Sequence, residues 1–308
     1  MKRHPFLVAT VATSVALVVA LGACSKKKAP ARDDAGAPRE GASAPSALAS
    51  ELDTKCVGGD MEACRSLAVM YTEGLGVPQD ARRAAALFGQ ACSGDNLAAC
   101  NQVALALAEG LGVPKDPAQA VEVYQRTCDA GYELACRNLG LMLRDGRGVP
   151  ADEERAANLL EQACLGGAPY ACTNAGDLDA KRGDHKAMVA HYKKGCDDGD
   201  PTSCRNLGLV YLEGRGLPKS TAAASVWLDR GCRADDAIAC RVLGILRVQG
   251  VGVARDVALG TSLLQRACDR KDREACELVA SLSGAGSGAG SGAPGRGSGA
   301  PAAPEPTP

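Results

Sequence analysis

The stretch Cys92-Ser93-Gly94-Asp95-Asn96-Leu97-Ala98-Ala99-Cys100 decides the fold. Two cysteines eight apart bracket a Gly-Asp turn. Equivalent pairs are Cys56 with Cys64, Cys128 with Cys136, Cys164 with Cys172, Cys196 with Cys204, Cys232 with Cys240 and Cys268 with Cys276. The pairs advance by 36 residues, and once by 32, between Cys164 and Cys196. A fixed period of this length marks an array of one supersecondary unit. Each unit is too small to bury its own apolar face and stacks on its neighbours.

Outward from each pair the grammar is helical. After Cys64, the residues Leu67, Ala68 and Tyr71 recur at helical spacing. The segment Glu73-Gly74-Leu75-Gly76-Val77-Pro78-Gln79-Asp80 then breaks the pattern: Gly74 suits a left-handed helix end, Pro78 prevents continuation, and Asp80 can cap the next helix. That second helix carries Ala84, Leu87, Phe88 and Ala91 on one face and ends at Cys92. The same loop returns at residues 109–114, 145–150, 213–218 and 249–254, and Asp116, Pro117 and Gln119 form a strong helix start. Lys181-Arg182-Gly183-Asp184 replaces the long loop in the fourth unit and accounts for the 32-residue step, predicting a tight turn with both helices retained. Single helices over about Ala47–Cys56 and Asp272–Leu282 complete the two ends. The expected architecture is an all-α, α/α superhelical solenoid of about six helix pairs over residues 47–282, with half-units as caps.

The flanks read differently. Lys2, Arg3 and His4 precede an apolar run from Phe6 to Leu21, the layout of a secretory leader over residues 1–23. It closes on Leu21-Gly22-Ala23-Cys24, which resembles the lipobox of bacterial lipoproteins and implies cleavage before Cys24 and acylation of that cysteine. Residues 24–46 then form a lipidated flexible tether, and Ser25 after the anchor points to the outer membrane. Residues 283–308, rich in Gly, Ser, Ala and then Pro, read as a disordered tail.

Composition narrows the function. Formal net charge is −1, which excludes the basic footprint of a nucleic-acid binder. Aromatic residues make up only 3% of the chain, so thin layers rich in Ala, Gly and Leu form the core. Fifteen cysteines divide into seven pairs plus Cys24, a density that reads as disulfides in an oxidising compartment. No Cys-x-x-Cys occurs, and His4, His185 and His191 are the only imidazoles, so no metal and no cofactor are expected. Each pair links the last turn of one helix to the first turn of its antiparallel neighbour, which places the Cα atoms in bridging range.

The pattern Leu207-Gly208-x-x-Tyr211, echoed at Leu139-Gly140, followed by Gly-x-Gly-Val-Pro-x-Asp and a Lys/Arg-Ala helix start, resembles the Sel-one-like repeat family, relatives of the tetratricopeptide repeats. The cysteine pair in every unit is similar to the Helicobacter cysteine-rich subfamily. The resemblance implies a right-handed superhelix with each pair bridged, and an adaptor role. Some cysteine-rich members are described as penicillin-binding or as weak β-lactamases, which is the enzymatic alternative here.

Candidate chemistry is sparse. Ser25–Lys28 matches Ser-x-x-Lys but lies in the tether, with no accompanying Ser-Asp-Asn or Lys-Thr-Gly. Gly290–Gly295 matches a dinucleotide fingerprint that its Gly-rich composition explains. His191 stands in a column otherwise filled by Leu87, Val123, Leu159, Trp227 and Leu263, which makes it a packed or partly exposed structural histidine and Trp227 a core residue. A polar column follows the second cysteines: Arg65, Asn101, Arg137, Thr173, Arg205 and Arg241, then Ser66, Gln102, Asn138, Asn174 and Asn206. On one side of a solenoid these form a ladder, with Arg65, Asn101, Arg137, Asn138, Arg205, Asn206 and Arg241 as partner-binding candidates. The expected partner is a protein, a peptide or a cell-wall fragment.

Overall fold

The computed structural model describes residues 46–287, and within them every regular element is an α-helix. In chain order these are α1 (Ala47–Val57), α2 (Met61–Glu73), α3 (Ala81–Ser93), α4 (Leu97–Glu109), α5 (Pro117–Asp129), α6 (Glu133–Asp145) and α7 (Glu153–Leu165). They continue as α8 (Ala171–Arg182), α9 (His185–Asp197), α10 (Pro201–Glu213), α11 (Thr221–Arg233), α12 (Ala237–Gln249), α13 (Val257–Asp269) and α14 (Arg273–Ser287). Each even-numbered helix packs most closely on the odd-numbered helix that follows it, giving six pairs from α2–α3 to α12–α13. α1 and α14 close the ends as single helices, as the repeat predicts.

Local chemistry sets the boundaries. The Asp80 carboxylate accepts from the Arg83 N–H at 3.0 Å, and Asp116 accepts from Gln119 at 3.0 Å with Pro117 in the first turn. Even-numbered helices end on left-handed glycines such as Gly74 (φ 74°). The second glycine of each long loop serves the stacking of units: at Gly112 (φ 74°) an added Cβ would land on the Ala81 carbonyl of the preceding unit. Only a residue without a side chain permits that approach. Ser46 docks α1 by the same logic, its N–H donating to the Gly76 carbonyl at 2.9 Å.

All seven expected cysteine pairs are bridged. Cys56 is joined to Cys64, Cys92 to Cys100, Cys128 to Cys136 and Cys164 to Cys172. Further along, Cys196 is joined to Cys204, Cys232 to Cys240 and Cys268 to Cys276. The Cα separations are 4.5–4.7 Å throughout. Each bridge joins the end of an odd-numbered helix to the first turn of the next even-numbered one, between units rather than within them. Cys240 thus ties α12 to α11, and Cys276 ties the closing helix α14 to α13. The interior is otherwise thin. Leu67, Leu139, Leu160, Leu178, Met188, Leu207, Leu228 and Leu264 are its largest fully buried side chains. At Gly208 a Cβ would sit 2.7 Å from Leu228 Cγ, so the helices of a pair meet at near-backbone distance.

The fourth unit keeps both helices across a two-residue link, Gly183 (φ 76°) and Asp184, whose side chain caps α9. With the long loop gone, Lys181 reaches back to Glu153 at the start of α7, and α8 touches both α6 and α10. Two expectations need correction. The last helix runs to Ser287, not Leu282, because a helix once nucleated adds a backbone bond per residue at little cost. Trp227 is only partly buried: its ring packs beside the cluster of Met188, Tyr192, Leu207 and Val210, with the Arg230 guanidinium 5.0 Å from its centroid.

Candidate binding face

The polar column is a single row along the even-numbered helices, and most of its members are committed to holding adjacent units together. Asp236 caps α12 through Oδ1, which accepts from the Ala239 N–H at 2.7 Å, while Oδ2 receives the Arg205 guanidinium of the preceding unit at 2.7 Å. Asp272 repeats the device, accepting from Ala275 N–H at 2.9 Å and from Arg241 at 3.0 Å; Arg241 also reaches Glu274 at 2.6 Å. Thr173 bonds Asp200 Oδ2 at 2.5 Å. Arg65 pairs with Glu62 on its own helix, and the Asn96 amide donates to the same carboxylate at 3.0 Å. Asn101 is only 3% exposed and accepts from the Asn138 amide at 2.9 Å. Asn101, Arg205 and Arg241 are thus engaged in contacts between adjacent units. Desolvated carboxylate and guanidinium groups must be paired where they are buried.

Around the shortened unit the packing between α8 and α9 turns polar. Asp179 stands in the column of Leu107 and Leu143, and its Oδ2 lies 2.6 Å from His191 Nδ1, with 9% and 17% of the two side chains exposed. His191 is thus structural, as expected, and is held by a hydrogen bond to a carboxylate. His185, at the start of α9, takes no part in this pair. Asp177 occupies a column otherwise filled by Val69, Leu105, Leu141, Leu209 and Ile245. Its Oδ1 accepts from the Tyr192 hydroxyl at 2.6 Å and from the Asn206 amide at 3.4 Å.

Asp177, Tyr192, Asn206, Leu209 and Arg215 line a cleft of about 260 Å³. Burial, then the Asp177 bond, raises the Tyr192 hydroxyl well above the usual phenol range, so it stays a donor. Tyr124, at the equivalent position of α5, is pushed up to about 12 by burial, and the Arg147 guanidinium that pulls it down is paired with Glu109 at 2.5 Å. Of this cleft only Asn206 was legible as a binding candidate. The signal for Asp177 was its charge in an apolar column. A second cleft of about 280 Å³ lies between the turns at Gly167–Tyr170 and Asp198–Pro201, beside Cys172.

Five matches to the Sel1 repeat model, over residues 62–96, 97–132, 134–167, 201–236 and 237–272, cover more than half of the sequence. The chain belongs to the Sel1 repeat family. The matches skip residues 168–200, where this Sel1 protein carries its shortened unit. It is similar to c5321, a protective antigen of uropathogenic Escherichia coli with an SLR fold, at 25% identity and TM-score 0.67 over 79% of this chain. It spans about half (53%) of that antigen's length. A Sel1 repeat protein from Oxalobacter formigenes superposes at TM-score 0.61 and 22% identity, covering 71% of this chain and 89% of its own. Comparison with curated proteins returned no match.

Among the described residues no group of three His, Cys, Asp or Glu could hold a metal ion, and no helix is long and apolar enough to cross a membrane. Cys24, Ser25–Lys28 and Gly290–Gly295 lie outside the described residues.

Proposed function

We propose that this Sel1 repeat protein is a cell-envelope lipoprotein, anchored through an acylated Cys24, whose disulfide-braced array binds a protein or peptide. Sel1 repeats commonly serve protein–protein interaction, which favours a scaffold over an enzyme. The observation that carries the reading is the cleft of Asp177, Tyr192, Asn206 and Arg215, a polar-rimmed hollow between adjacent units. Arg215 is paired with Glu213, and the Asn206 amide donates to Asp177, yet each group keeps further hydrogen-bonding capacity for the N–H and C=O groups of an extended chain. The envelope assignment draws on the Leu21-Gly22-Ala23-Cys24 sequence and on bridges that persist only under oxidising conditions.

A photo-crosslinking amino acid at Leu209, in the cleft wall, tests the binding reading in intact cells; one at Val226, which is 59% exposed on α11, is the control. An adduct at Leu209 alone, with protein or peptide mass, is expected. Adducts at Val226 only, or a glycan at Leu209, overturn it. Labelled palmitate incorporated by the native chain and lost in Cys24→Ser tests the anchor; equal labelling of both refutes it.

A further inference from the structure

Arg137 is the exception in the polar row, and the reason lies one unit further along. The arginines at its register, Arg65, Arg205 and Arg241, are each neutralised by a carboxylate. For Arg205 and Arg241 that carboxylate stands four residues before the second cysteine of the next unit: Asp236 before Cys240, and Asp272 before Cys276. The position that should serve Arg137 is Ala168. Where the following unit reads Asp200-Pro201-Thr202-Ser203-Cys204, this one reads Ala168-Pro169-Tyr170-Ala171-Cys172.

The consequences are visible around the guanidinium. Among the described residues Arg137 makes no ion pair; its Nη1 donates to Asn138 Oδ1 at 3.3 Å, and its Nε is buried with no acceptor. Two phenols, Tyr124 and Tyr170, are the titratable groups near enough for their charge to bear on it, and burial holds its pKa below the ordinary arginine value. Tyr170 is 52% exposed and sits in a left-handed conformation (φ 59°), so the first turn of α8 is unwound at this junction. The cation–π contacts are made by Arg83 and Arg230, not by Arg137.

We infer that Arg137, flanked by Asn138, Tyr124 and Tyr170, is a recognition site for a peptide carboxylate, left open because Ala168 replaces the cap aspartate. The chain itself supplies the precedent: at the same register Arg205 and Arg241 hold carboxylates at 2.7 and 3.0 Å. A guanidinium offers a planar fork matched to that group, and desolvation strengthens the bond. The inference rests on the scaffold reading, and it names the part of a partner that this position takes.

The test uses the oxidised full-length protein and three probe peptides: acetyl-Gly-Gly-Gly-Ala with a free carboxyl end, its C-terminal amide, and acetyl-Gly-Glu-Gly-Ala amide. NMR follows the Arg137 Nε–H signal. The acid is expected to shift that signal at millimolar peptide, the amide to leave it unmoved, and the glutamate peptide to show whether a side-chain carboxylate also serves. Ala168→Asp, which installs the missing partner, should weaken binding tenfold or more; Arg137→Gln, which removes the fork without altering the helix cap, should do the same when binding is followed on the neighbouring Asn138 side-chain amide signal in place of the lost Arg137 one. Equal shifts with acid and amide, no shift with either carboxylate, or undiminished binding by Arg137→Gln overturns the carboxylate site. Crosslinking at Leu209 would stand in any of those cases, so the scaffold reading survives or falls separately.

Discussion

Removing one interior bridge, by replacing Cys128 and Cys136 together with alanine, measures how far the array depends on covalent staples. The pair closes a nine-residue ring (sequence separation 8), and the Cα atoms are already 4.7 Å apart in the folded chain. Tying such a ring in the unfolded ensemble stabilises the fold by about 2.5 kcal/mol in the chain-entropy model. Both residues are at most 3% exposed, so the two lost sulfurs add about 1 kcal/mol of packing. The expected cost is therefore about 3.5 kcal/mol, read from guanidinium unfolding of the oxidised variant against the parent. The equivalent change at Cys56 and Cys64 should cost less global stability, because there only α1 lies beyond the bridge and can fray alone. Summed over seven bridges the model gives on the order of 18 kcal/mol, more than the whole stability of most domains. Full reduction should accordingly unfold the protein at room temperature. A loss below about 1 kcal/mol for the Cys128 and Cys136 pair, or a fully reduced chain that keeps its helical signal and cooperative melt, would refute the account.

Three further outcomes follow from particular contacts. Gly112→Ala places a Cβ on the Ala81 carbonyl at a positive φ and should destabilise by more than about 2 kcal/mol, whereas Gly131→Ala, with open space around its Cβ, should cost about 1 kcal/mol, both by thermal melting. His191→Leu leaves the Asp179 carboxylate buried alone and should cost about 3 kcal/mol; adding Asp179→Leu, which restores the apolar column of Leu107 and Leu143, should recover most of it in a double-mutant cycle. Asp236→Asn keeps an oxygen for the α12 cap and loses only the charge facing Arg205, so it should cost about 1 kcal/mol less than Asp236→Ala in denaturant unfolding.

The site was harder to read than the fold because it depends on which side chains meet across units. Register alone aligns Arg137, Arg205 and Arg241 and makes them look equivalent. What separates them is the residue 31 positions onward in each case, Ala168, Asp236 and Asp272. That relation has meaning only once the next unit is stacked in place. The same holds for Asp177: its column showed an anomaly, but its bonds to Tyr192 and Asn206 required the turn that brings α9 and α10 onto α8.

The amino-acid sequence by itself determined the helix pairs, their caps, the pairing of the cysteines and the tight turn of the fourth unit. All of these are local: each rests on residues within a dozen positions of one another and on chemistry that neighbours in the chain dictate. Which polar groups are consumed by the fold, and which are left facing outward, was decided only by tertiary packing. A guanidinium's availability is set by whether a carboxylate from another unit reaches it, and no periodicity within one unit carries that information.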